Sequence, residues 1–95
     1  MSAELKNRFE RESQEHAKKM LGKVQKAAKA AGVKCETVAL VSDFPYQQII
    51  STAKKKKCDL IVMASHGRKG LSSLLLGSET AKVLTHSKIP VLVVR

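Results

Sequence analysis

Tryptophan is absent and the other aromatics are one Tyr and two Phe, so a core here has to be assembled from Val, Ile, Leu, Ala and Met. The scarcity of rings also weighs against a surface that reads RNA by stacking bases on aromatic side chains. Only two cysteines occur, Cys35 and Cys58, with no Cys-x-x-Cys pair and no Cys/His ligand spacing. That pattern argues against a zinc site and a disulfide framework, and it fits a reducing compartment. No apolar run approaches the roughly 20 residues of a membrane-spanning helix, and Met1-Ser2-Ala3-Glu4 does not begin as a secretory signal does. The expectation is a soluble, cytoplasmic chain without a membrane partner. Acids are scarce as well: eight Asp and Glu face 18 Lys and Arg, for a formal charge of +10. Such a balance attracts phosphates of every kind without recognising one.

The 95 residues make at most one small domain, and an apolar fraction of 43% is that of a folded protein. Residues 3–31 carry a helical stripe at Leu5, Phe9, Ala17, Leu21, Val24, Ala28 and Ala31, which predicts a long helix with one face turned inward. Gly32 is placed to end it as a left-handed cap, and Gly22 should weaken it from within. Residues 33–41 read as a strand. Ser42-Asp43-Phe44-Pro45 then suits a helix start, followed by Tyr46, Ile49, Ile50 and Ala53 on one face and Lys54 to Lys57 at the negative end of the dipole.

Residues 59–64 hold five consecutive apolar side chains after Asp59, the pattern of a parallel strand covered on both faces at a sheet's centre. Gly77-Ser78-Glu79-Thr80 looks like a third helix start, with Ala81 and Leu84 as its inner face and His86 at its end. The closing segment Ile89-Pro90-Val91-Leu92-Val93-Val94 predicts a strand that keeps Pro90 at its beginning. Alternating helix and strand imply an α/β protein with a parallel sheet and right-handed crossovers. Ligands of such sheets sit beyond the carboxyl ends of the strands.

Ser65 to Thr80 lies at such an end. Amides at a helix N-terminus lack acceptors within the helix and sit at the positive end of its dipole, which suits them to phosphate oxygens. Gly67 and Gly70 allow unusual backbone conformations, Gly77 allows close approach, Ser78 and Thr80 offer hydroxyls, and Arg68 and Lys69 add charge. The segment holds neither a Walker A triplet nor a Gly-x-Gly-x-x-Gly fingerprint. A plainer reading of the same residues is turn glycines followed by Ser78 as an ordinary N-cap.

Leu60-Ile61-Val62-Met63-Ala64-Ser65-His66-Gly67, then nine residues, then Gly77-Ser78, and finally Ile89-Pro90-Val91-Leu92-Val93-Val94 resemble the universal stress proteins. Residues 34–53 resemble the third strand and following helix of that family. The resemblance implies the Usp-like fold, related to the adenine nucleotide alpha hydrolases, with ATP or AMP as ligand and Mg only alongside a bound nucleotide. It implies Met63 near the adenosine, Gly67 and Gly77 along the phosphates, and Ser78, Glu79 and Thr80 as the helix start that receives them. Ala64 stands where nucleotide-binding members have glycine, so its methyl group should narrow the approach and weaken binding.

Family members usually place a strand, a helix and a strand before the helix that opens this chain, the first strand ending in an adenosine-contacting Asp with no counterpart here. Residues 1–95 therefore read as a single partial domain. Its sheet is expected to be rearranged or completed by a homodimer or intertwined homo-oligomer, with the last strand at the interface. No enzyme is expected: His66 has no identified carboxylate or Ser partner and reads as a loop residue, while His16 and His86 read as surface or helix-end residues. The cysteines read as small core residues. Lys18, Lys19, Lys23, Lys26 and Lys29 make a basic helix face, read as solvated. The alternative is a nucleic-acid or protein-partner module that has lost its nucleotide. The leading expectation is a nucleotide-binding module of the stress response.

Overall fold

The computed structural model describes residues 2–65 and 76–95, in two compact units, Met1–Leu40 and Val41–Arg95. The first is built on α1 (Ala3–Ala30). Ser2 caps it, its hydroxyl accepting the Leu5 amide at 3.2 Å, with Glu4 in the first turn and Lys29 in the last, each matched to the dipole. Beyond the C-cap Ala31, Gly32 takes φ 72 and the Val33 amide donates to the Ala28 carbonyl at 2.8 Å. This is the Schellman closure that a glycine at that position suggested.

The stripe is only partly covered. Ala17, Leu21 and Ala28 are half-buried while Leu5, Phe9 and Val24 stay more than half exposed. A 28-residue helix is about 42 Å long, and the rest of its unit is too short to cover such a face. The strand expected over residues 33–41 does not form. A strand needs a neighbour to take its amides and carbonyls, and among the described residues the only ladder is that of residues 61–64 with 91–94.

The second unit holds α2 (Pro45–Lys55), β1 (Ile61–Ala64), α3 (Ser78–His86) and β2 (Val91–Val94). β1 and β2 pair in parallel, Ile61 opposite Val91 and Ala64 opposite Val94. Pro90 stays before the ladder, and its carbonyl accepts the Ile61 amide at 2.9 Å. Ala53, Ile61 and Val83 form the buried centre, against which Tyr46, Ile49, Ile50, Met63, Ile89 and Val91 pack. The α2 stripe read from the sequence thus faces inward as a set.

Three expectations need correction here. β1 is not covered on both faces: Ile61 and Met63 turn inward while Val62 is 56% exposed, as is 51% of its ladder partner Leu92. The described residues form a two-stranded sheet, with residues of α2 and α3 packed on its inward face. The inner face of α3 is Thr80 and Val83, not Ala81 and Leu84. Thr80 and Val83 are three apart and so share a face, but a polar Thr hid that register from a count of apolar residues. Cys35 and Cys58 are exposed rather than buried in a core.

α2 ends on a lysine in the left-handed region. Lys57 has φ 56, its amide donates to the Lys54 carbonyl at 3.1 Å, and the Cys58 amide reaches the Ala53 carbonyl at 2.8 Å. The geometry is that of a glycine-closed helix with a β-carbon added.

Candidate functional site at the start of α3

Because β1 and β2 run parallel, their carboxyl ends share one edge of the sheet, and α3 begins there. Three hydrogen bonds fix that junction. The Ser65 amide donates to the Val94 carbonyl at 2.7 Å, the Gly77 amide donates to the Ser65 carbonyl at 2.7 Å, and the Thr80 hydroxyl donates to the Ala64 carbonyl at 2.8 Å. Thr80 is 4% exposed, so the last bond is shielded from water. The first helical bond runs from the Ala81 amide to the Gly77 carbonyl at 2.9 Å. The amides of Ser78, Glu79 and Thr80 consequently come before the first donating amide, Ala81, and have no acceptor within their own helix.

Gly77 is the N-cap, buried, at φ −60 and ψ 147. Any L-residue can adopt those angles, so the backbone conformation does not itself require glycine there. Its amide is spent on Ser65, which leaves the three amides after it as the donors of this helix start. Ser78 is exposed in the first helical position and makes no capping bond; the plainer reading of it as an N-cap gives way to Gly77.

Glu79 has a role that residue counting missed. Its Oε2 accepts the Tyr46 amide at 3.0 Å, and its Oε1 lies 3.4 Å from Lys82 Nζ. The α2 cap Phe44 offers no side-chain acceptor and Pro45 has no amide hydrogen. Ser42 accepts the Phe44 amide at 3.0 Å instead of capping the helix. Glu79 therefore supplies, from α3, the anionic cap that α2 lacks, and the two helix N-termini meet. The available signal was a helix that opens on Phe-Pro with no acceptor of its own.

Of the sequence-predicted site residues, Ala64, Gly77, Ser78 and Thr80 come together at this junction, while Glu79 leans to α2. Met63 turns into the core face beside Ile61. Gly67, with His66, Arg68, Lys69 and Gly70, lies outside the described residues. Among the described residues no group of three or more His, Cys, Asp or Glu is placed to hold a metal ion, and no helix is long and apolar enough to cross a membrane.

Parallel strands with helices packed on them, and a helix start lodged at the strands' carboxyl edge, define an α/β protein of the parallel-sheet kind. The universal stress protein family model matches residues 1–95, and the chain belongs to that family. It is 42% identical over 81 residues to universal stress protein MJ0531 of Methanocaldococcus jannaschii, covering 85% of this chain and 47% of the relative. To MJ0577 of the same organism it is 34% identical over 92 residues, 97% of this chain and 56% of the relative. To YxiE of Bacillus subtilis it is 39% identical over 77 residues, 81% and 51%. The solved structure of MJ0577 superposes with a TM-score of 0.86, over 96% of this chain and 62% of that one. The fold is thus α/β and Usp-like, and the chain spans about half the length of the curated relatives it matches.

Proposed function

We propose that this chain is a nucleotide-binding module of the universal stress protein type, taking ATP or AMP by its phosphates at the start of α3. The observation that carries the reading is the set of amides at Ser78, Glu79 and Thr80, which have no acceptor within α3 and are held at the β1 edge by the Thr80–Ala64 bond. Ala64 in place of the family's glycine, and the Glu79 carboxylate in the first turn, both act against an anionic tail, so the affinity is modest. Mg enters only with a bound nucleotide. The module is not an enzyme; it acts by shifting the population of conformers or assemblies that bind nucleotide unequally. A cytoplasmic homodimer or intertwined homo-oligomer belongs to the same proposal, supported by the exposed outer row Val62, Leu92 and Val94.

Titration calorimetry with ATP and AMP tests it. Ser78→Pro deletes one amide at a position where proline is well tolerated, the first residue of a helix. A hydrogen bond to a charged group contributes about 1.5–3 kcal/mol, so the expected loss is roughly tenfold or more. Equal affinity in both proteins, or no heat with either nucleotide, overturns the reading.

A further inference from the structure

Along α2 runs an open groove of about 700 Å³. Tyr46 and Ile50 line its apolar part, Gln47 and Ser51 offer hydrogen-bonding groups beside them, and Lys54 and Lys55 close one end. His86 reaches in from α3, its ring centroid 5.3 Å from that of Tyr46, and Lys82 Nζ stands 5.6 Å from the same tyrosine ring. Tyr46 thus contacts two side chains of α3. Among the described residues Lys54 and Lys55 make no ion pair, and the acid nearest the other end, Glu79, is already engaged by Lys82 and the Tyr46 amide.

We infer that this groove docks a short acidic peptide segment of a partner protein, with an apolar side chain against Tyr46 and Ile50 and carboxylates at Lys54 and Lys55. From Tyr46 to Lys55 the helix rises about 13 Å, the length of roughly four extended residues. The lining cations are gathered on the last turn. A nucleic-acid strand carries a charge at every nucleotide and is matched by cations spread along its path, whereas an apolar residue followed by acids matches this division. Ion pairing at an open groove governs encounter and specificity more than affinity, so binding is weak and salt-sensitive.

The test is fluorescence anisotropy with a labelled short peptide in which one Leu precedes a run of Asp and Glu. Saturable binding is expected, weakened at least tenfold by Lys54→Glu with Lys55→Glu, and weakened when the peptide's Leu is replaced by Ser. Ser51→Tyr, which fills the groove from an exposed position, serves as the second variant, and unchanged thermal melts certify that each variant folds. ATP calorimetry on the lysine variant separates this site from the nucleotide reading, because Lys54 and Lys55 sit in the last turn of α2, at the opposite end of that helix from the Tyr46–Glu79 bond. The inference is overturned by absence of saturable binding, by equal binding of the variants, or by tighter binding of a single-stranded oligonucleotide lost with the same substitutions.

Discussion

Glu79 shows that one residue can serve two helices, its amide standing in the first turn of α3 and its carboxylate reaching α2. In sequence it sits between two hydroxyl residues at a helix start and reads as part of a phosphate cradle; in space its carboxylate closes the neighbouring helix through the Tyr46 amide. The bond joins residues 33 apart in sequence, and no local pattern encodes it. Capping interactions of this kind contribute about 1 kcal/mol. Glu79→Ala should lower stability by about that amount in urea titration, with most of the loss recovered by Glu79→Gln, which keeps an acceptor oxygen. Thr80 taught the complementary lesson, since its hydroxyl saturates a strand-end carbonyl and lets a polar residue sit at 4% exposure without penalty.

At the scale of elements, the helices were legible because their signals are local. Gly32 marks the end of α1, Pro45 the start of α2, and the Tyr46, Ile49, Ile50, Ala53 spacing its inner face. Gly22 stands mid-helix, and a β-carbon added there meets nothing within 4 Å. Gly22→Ala should accordingly raise stability by about 0.5–1 kcal/mol, through the lower entropy of the unfolded chain, and increase helical signal in far-ultraviolet circular dichroism. Strands were legible only where a partner exists. Residues 59–64 and 89–94 have the same β-rich character as 33–41, yet only the first two find each other. Pairing is a property of two segments, and a composition window sees one.

For the molecule as a whole, the candidate site is half legible. The strand end and helix start at Ala64, Gly77, Ser78 and Thr80 follow from strand-then-helix order, because parallel strands present their carboxyl ends together. The covering of the sheet does not follow, since runs of apolar residues suggest burial on both faces and leave open which chain provides it. Val62, Leu92 and Val94 remain 44–56% exposed on the outward row. Light scattering at micromolar concentration should therefore give at least twice the mass of one chain, and Leu92→Lys should shift the distribution toward single chains. A monomeric mass for the unaltered protein would count against the oligomer part of the proposal.

The alternation along β1 and β2 also divides the history open to this sequence. Ile61, Met63, Val91 and Val93 answer to the helices of their own unit, while Val62, Ala64, Leu92 and Val94 answer to whatever lies outside it. Descendants can change allegiance by altering every second letter, leaving the interleaved letters to preserve the frame, so the two sets are free to drift at different tempos.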